Sequence, residues 1–395
     1  MKQTHIYILG VILVSMSILG ACRKEEKNLV SVDGFIHIPF AKGIEEEKTV
    51  KLSDIADKVE YIWLELTDSS LLNNTINSHT VISDKYVFVH TSNAIFQFGR
   101  DGHFIRRVGR YGQGPEEYLA VSFLDILLDK NELYAFIPDY WKLYVYDMET
   151  GMLLRQIAMI KCSAIDFLMY DDTTIVAFSQ SLGKSGAPRL TLGNFSGDIL
   201  KQYYHPVIDK KGTNAVFMGK NYRFTYRYDN KIQYKEYYVD TLYHVGLTQL
   251  EPRYIFDLGP YSLPVERRIE YTTDYMKDTK SYLRYDVYET DNYILMPYMS
   301  WSAVYQGNFA DKEMAIYKKK DGSCFKISGG ILENDLSGGV PMVPEGVVDD
   351  NSIFSIWTVD ALYEEAEKNP QIQKLLEKNN VQFDDNPMIM IARLK

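Results

Sequence analysis

Little in this sequence invites metal or redox chemistry. Its 395 residues include 3 cysteines and 7 histidines, and no histidine is spaced as a zinc ligand. Positive charge is also short: 43 Lys and Arg against 53 Asp and Glu leave a net charge of −10. That excludes the clustered basic surface a nucleic-acid-binding protein needs. The run Lys318-Lys319-Lys320 falls on an expected turn and reads as solvated charge. No Gly-x-Ser-x-Gly elbow, His-Glu-x-x-His helix or phosphate loop occurs. Gly109 to Gly114 is glycine-rich but lacks a strand-to-helix setting, so it reads as a turn. These absences favour binding over catalysis and leave open only an active centre assembled from separated residues. A Pro/Ser/Gly linker is missing as well, so nothing divides the chain after its leader.

What is present is a repeated turn. Acidic turns recur at Asp84-Lys85, Asp129-Lys130-Asn131, Asp171-Asp172, Asp229-Asn230, Asp291-Asn292 and Asp349-Asp350-Asn351, spaced by 45, 42, 58, 62 and 58 residues. A run rich in Tyr, Val, Ile and Phe follows each: Tyr86–His90, Leu133–Ile137, Thr174–Phe178, Lys231–Tyr234, Tyr293–Met296 and Ser352–Trp357. Such runs between turn residues are strands. A second turn follows at Asp101-Gly102, Glu149-Thr150-Gly151, Ser196-Gly197-Asp198 and Asp321-Gly322, where Gly permits the positive φ of a tight hairpin. Two hairpins per unit and six units predict an all-β fold, a six-bladed β-propeller of four-stranded antiparallel blades. Tyr61–Leu66 is a strand without a blade and is expected to complete the last sheet, closing the ring. Ala361 to Lys378 reads as a helical insert in the last blade, broken at Asn369-Pro370 with Pro370 in the first turn of a second helix. Cys162 and Cys324 fall in blades 3 and 5, too far apart for a bridge needing Cα atoms within about 7 Å, and are expected to be buried thiols.

The leader has its own grammar. Lys2 precedes the apolar run Ile6 to Ile18, too short for the roughly 20 residues of a membrane helix, so it reads as a signal peptide. Leu19-Gly20-Ala21-Cys22 resembles the bacterial lipobox, which implies lipidation of Cys22 and a membrane partner through that anchor. Arg23-Lys24-Glu25-Glu26 resembles the signal that sends Bacteroidota lipoproteins to the outer face of the outer membrane, with a periplasm-facing location the alternative. The expected organisation is therefore residues 1–21 as signal, 22–47 as a lipidated tether with an early strand, and 48–395 as the propeller.

The stretch Gly102 to Tyr118 carries a wider resemblance. Phe104, Ile105, Arg106, Gly109, Arg110, Gly112, Gln113, Gly114, Pro115, Glu117 and Tyr118 match the signature of six-bladed β-propeller lipoproteins of Bacteroidota, related more distantly to NHL-repeat propellers. Glu116 stands where that family has Gly, which narrows the loop's backbone freedom. Asp240-Thr241-Leu242-Tyr243, Pro252-Arg253-Tyr254 and Asp257-Leu258-Gly259 are similar to a second shared segment. The resemblance implies fold and location, not an activity.

Two candidate sites follow from propeller geometry. The innermost strands should carry His79 and Thr80, Asp125, Asp166, Thr225, Asp286 and Glu345 at one depth. Asp125, Asp166, Asp286 and Glu345 could then ring the channel with oxygens for Ca²⁺, which takes about 6–8 such ligands, or attract an amine, and could serve a cation-dependent hydrolase or lyase. A water-filled channel is the plain alternative. On the loop face, Tyr140, Trp141, Trp301 and Trp357 should accompany Arg110, Gln113 and Tyr118. Aromatic faces beside polar groups suit a glycan, a peptide or a partner protein, unless they pack between blades.

Overall fold

In this computed structural model the described residues are 31–32, 35–72, 80–160, 162, 164–179, 188–204, 225–236, 239–264, 279–308 and 312–395. The expected signal at 1–21, Cys22 and His79 lie outside them.

Each acidic turn joins the first two strands of a four-stranded sheet. Blade 1 is Val81–Ile82, Tyr86–His90, Ile95–Gly99 and Phe104–Val108. Blade 2 is Phe123–Leu127, Glu132–Ile137, Lys142–Asp147 and Leu153–Ala158. Blade 3 is Ala164–Met169, Thr174–Ser179, Pro188–Asn194 and Ile199–Tyr204. Blade 4 is Thr225–Tyr228, Lys231–Lys235, Thr241–Val245 and Leu250–Phe256. In blade 5 the inner strand is split into Leu283–Tyr285 and Tyr288–Glu289, followed by Tyr293–Ser300, Glu313–Lys318 and Cys324–Ile327. Blade 6 is Gly346–Asp349, Ser352–Trp357, Met388–Leu394 and, from the other end of the chain, Ala56–Trp63. Apolar side chains from neighbouring sheets interlock to form the core, so each sheet is buried on both faces.

The closing strand pairs antiparallel with Met388–Leu394, from Met388 opposite Trp63 to Leu394 opposite Ala56. It does what the early strand is expected to do, but begins five residues before Tyr61. The helical insert forms as two helices, Val359–Ala366 and Pro370–Lys378. Asn369 caps the second by accepting from Gln371 N, and Pro370 takes its first position. Leu362, Ile372 and Leu376 dock the pair on the core between blades 5 and 6. Neither Cys162 nor Cys324 is in a disulfide. Cys324 is buried, and burial pushes its thiol up to about 12, whereas Cys162 is only half-buried.

The segment expected to be a tether with one early strand is built into the fold from Phe35 onward. Phe35–Ile38 runs parallel along the outer strand of blade 4. Phe40 is fully buried against Tyr285 and Tyr298, with ring centres 5.2 and 5.4 Å away. Glu47–Lys48 then lies parallel to the outer strand of blade 5, and Leu52 and Ile55 bury themselves before the chain enters blade 6. An outer strand is a sheet edge with unmet backbone groups. The strap satisfies part of that edge on two blades before it closes a third.

At the seam between blades 6 and 1, Arg100 holds Glu60 through two hydrogen bonds of 2.8 and 3.1 Å, and these keep the Glu60 carboxyl below its ordinary range. The hairpin tip at Gly102 abuts the closing strand. Its carbonyl accepts from Glu65 N at 2.9 Å, and a Cβ at Gly102 would collide with the Trp63 carbonyl. Gly102 has φ 91° and Gly197, in the equivalent turn of blade 3, has φ 86°, but a Cβ at Gly197 meets nothing. Gly197→Ala should therefore cost only the left-handed backbone penalty of about 1–2 kcal/mol. Gly102→Ala should exceed it by at least about 1 kcal/mol, because the seam itself must move. Urea unfolding of the two variants checks this, and equal costs would show that the seam is not tight.

Candidate functional site

The signature loop is held by its own residues. Arg110–Tyr111 pairs parallel with Glu117–Tyr118, Gly112 N donates to Tyr118 O at 3.0 Å, and the Glu117 carboxylate accepts from Gly114 N at 2.9 Å. Glu116 takes no left-handed backbone, so the loop tolerates it in place of Gly. Blade 2 fixes the outer side: Gln156 Nε2 donates to Pro115 O at 2.7 Å and Tyr144 OH to Glu117 O at 3.2 Å.

Tyr118 is the anchor of this loop rather than a ligand contact. It is 1 % exposed, donates to Val108 O at 2.8 Å and accepts from Ile95 N at 3.3 Å. Burial pushes its hydroxyl up to about 12. Trp301 is likewise 1 % exposed, at the start of the short helix Trp301–Gln306, so it is packed inside and not displayed to solvent. Trp141 and Trp357 are half-buried. The Trp141 ring stands edge-on to Phe136 at 5.2 Å and its Nε1 donates to Ile160 O at 3.0 Å. Trp357 packs on the core between blades 5 and 6 and donates to Ser355 Oγ at 3.1 Å. The tryptophans are thus mostly spent on packing.

Arg110, Gln113 and Tyr140 remain exposed, joined by Tyr111, which the sequence reading passed over. Tyr111 is 62 % and Tyr140 38 % exposed. Alternate connections of an antiparallel blade share one end, which puts the turn at Tyr140 and the signature loop on the same face. Their closeness shows at Tyr144, whose hydroxyl is raised by burial and then by Tyr140 and Glu116.

The channel carboxylates do not form one ring. Asp125 lies opposite Tyr134, third in its partner strand, while Asp166 lies opposite Phe178, fifth in its own. Asp286 N donates to Pro297 O, again at the fifth position. Two residues along a strand is about 7 Å. Each acid also has a protein partner. Asp125 accepts from Arg227 Nη2 and Met169 N, both at 2.7 Å. Asp166 accepts from Thr225 Oγ1 at 3.0 Å, and Asp286 from Arg284 Nη2 at 3.0 Å. Glu345 is raised by burial, which Lys312 and the Ile356 N–H only partly offset. Among the described residues no three His, Cys, Asp or Glu side chains gather as a metal site requires.

The most heavily charged interior group lies elsewhere, between blades 4 and 5. Glu289 is fully buried and accepts from Arg253 twice, at 2.8 and 2.9 Å, from Lys319 at 2.7 Å and from Tyr226 OH at 2.9 Å. Lys319 also sits 4.0 Å over the Tyr228 ring. The middle lysine of the run read as solvated is therefore an interior residue. Its neighbours in sequence signal a turn, and nothing local announces the buried partner on another strand.

A family model described as domain of unknown function DUF4934 matches residues 35–393. Among solved structures the chain is similar to a Bacteroides fragilis protein described as exported, at 18% identity over 91% of this chain and 99% of that one, with a TM-score of 0.70. That likeness shows the fold. It is also similar to a member of the DUF4221 family from Bacteroides vulgatus, at 13% identity over 86% and 97% of the two chains and a TM-score of 0.47. Virginiamycin B lyase of Staphylococcus aureus matches at 10% identity over 85% and 99% with a TM-score of 0.41. No curated protein matches the chain. No helix among the described residues is long and apolar enough to cross a membrane.

The buried carboxylate has a pH signature. Burial alone would raise Glu289, but Lys319 and Arg253 together hold it below its ordinary 4.5. A depressed carboxylate stabilises the fold above its unfolded value of about 4.3, and that stability is lost as pH falls through the folded value. Glu289→Gln should cost about 3–5 kcal/mol at neutral pH, since it strands two buried cations. The variant should also lose less than the parent on acidification below about pH 4.3. Urea melts across this range decide it, and parallel pH profiles would refute the assignment.

Proposed function

The chain belongs to the family described as domain of unknown function DUF4934, and from that premise we propose that it is a surface-anchored binding module. Its recognition surface is the face shared by the signature loop and the blade 2 turn. Arg110, Tyr111, Gln113 and Tyr140 form it. The lipid anchor at Cys22 holds the propeller at the outer membrane, facing outward.

One observation carries the reading. The signature loop is rigid by construction and yet turns a tyrosine, an arginine and an amide to solvent, on the face that also carries Tyr140 in the blade 2 turn. Ordering a loop on association is costly, and a loop already ordered avoids that cost. Tyr and Arg are also the side chains that dominate protein-binding hot spots. That composition favours a peptide or protein partner, with stacking on a glycan as the other outcome of the test below.

A photoreactive residue in place of Gln113 should capture the partner on intact cells. Alanine at Arg110, Tyr111 and Tyr140 together should abolish capture while leaving the melting temperature unchanged, and each single change should weaken it about tenfold. Capture that survives the triple substitution would place recognition elsewhere on the ring. Digestion of the captured species with protease or glycosidase separates a protein from a glycan.

A further inference from the structure

At the opposite face, where the acidic turns lie, the axial channel opens into a cavity of about 640 Å³ lined by blades 1, 2, 3, 4 and 6. Its polar groups divide into engaged and open ones. Lys130 pairs with Asp172 at 3.0 Å. Asp171 is used by its own turn, accepting from Thr173 N and Thr174 N at 2.8 Å each. Arg227 reaches from blade 4 to blade 2, and Nη2 donates to Asp125 Oδ2 at 2.7 Å and to Met169 O at 2.6 Å.

Those two bonds fix the guanidinium without exhausting it. Its Nε–H and its Nη1 donors have no acceptor among the described residues, and the side chain, which lines the cavity, is 32 % exposed. The Tyr170 hydroxyl, the Asn230 amide and the Asp129 carboxylate line the same space and make no side-chain hydrogen bond among the described residues. Among the described residues the cavity therefore offers the unused donors of an ion-paired arginine, one carboxylate without a side-chain hydrogen bond and two neutral groups that both donate and accept.

We propose that this cavity binds a small zwitterion, a free amino acid or a dipeptide. Its carboxylate accepts from one of the unused donors of Arg227 and its ammonium is held by Asp129, with Tyr170 and Asn230 supplying the remaining bonds. The volume lies within the range of about 300–1,000 Å³ usual for small-molecule sites. A simple anion meets four carboxylates against two cations in the lining, Asp125, Asp129, Asp171 and Asp172 against Lys130 and Arg227. A simple amine meets Arg227. Only a ligand carrying both charges answers both open groups, and charge-assisted bonds at each end are the strong kind. The site is independent of the loop-face reading, since it shares no residue with it.

Calorimetric titration of the protein with common L-amino acids and glycylglycine, alongside acetate and ethylamine, tests this. Saturable binding of at least one zwitterion in the millimolar range or tighter is expected, with the two single-charge probes at least tenfold weaker. Asp129 is an exposed turn residue, so Asp129→Asn should keep the melting temperature and weaken binding about tenfold, or 1.4 kcal/mol. Arg227→Lys should weaken it similarly, because a compact ammonium lacks the planar guanidinium that spans from Asp125 and Met169 to a ligand on its other edge. No zwitterion binding, binding unaffected by Asp129→Asn, or acetate or ethylamine binding as well as the zwitterions would overturn the proposal.

Discussion

A β-propeller is a ring of sheets, and a ring of sheets is stable only if its first and last members meet. Here that requirement is met by one strand from the wrong end of the chain: Ala56–Trp63 supplies the outer strand of blade 6. Between residues 81 and 357 the described blade strands pair with neighbours close in sequence, as hairpins that could form in sequence order. The closing pair joins residues more than three hundred positions apart, and so carries a loop-closure cost that must be met before any seam at blades 6 and 1 can pack. The strap ahead of it lowers that cost in effect. By pairing with the outer edges of blades 4 and 5, it delivers the closing strand to its sheet along a defined path instead of leaving it to diffuse.

Closure alone does not say which blade packs on which. The interblade surfaces are apolar and similar, and hydrophobic contact is non-directional. Charges sit at several of these seams. Arg100 and Glu60 join blades 1 and 6, Arg227 ties blade 4 to blades 2 and 3, Arg189 and Glu236 join blades 3 and 4, and Arg253 and Lys319 meet on Glu289 between blades 4 and 5. A mispaired seam would bury an unmatched charge, which costs several kcal/mol or about that order. Burial and the repulsion of Arg253 lower Lys319 even though Glu289 raises it, a sign of how little solvent remains at that seam. These pairs make wrong neighbours expensive more than they make right ones favourable.

The elements were legible in the sequence because each is announced locally. An acidic turn and the β-branched run after it lie within a dozen residues of one another, a glycine at positive φ follows in blades 1, 2, 3 and 5, and Asn369 and Pro370 adjoin at the break between the two helices. What a residue faces was much less legible. A position in a connection between strands normally means exposure, but these connections fold back onto blades already packed on both sides, so Tyr118 and Trp301 read as display when they are buried. The depth of Asp125 and Asp166 could not be aligned from turn spacing because the inner strands enter the channel at different registers. Lys319 and Arg227 depend on partners in other blades, and the strap depends on sheet edges that exist only after the blades have formed. In each case the missing information is tertiary.

The strap also bears on how such a module can work while tethered. In a ring of six, blades 1 and 2 stand across the axis from blades 4 and 5. The chain leaves its N-terminal segment along the rim at blade 4, so the proposed anchor upstream of Phe35 would pull on the side away from Arg110, Tyr111 and Tyr140. The strap follows the outer strands rather than the inner ones, which keeps it off the residues lining the axial cavity. Load from a membrane would be carried by parallel strand pairing at the rim, with the closing strand in series behind it. The first structure to yield under that load is the added edge strand, not a seam, so the ring can stay closed while its attachment gives.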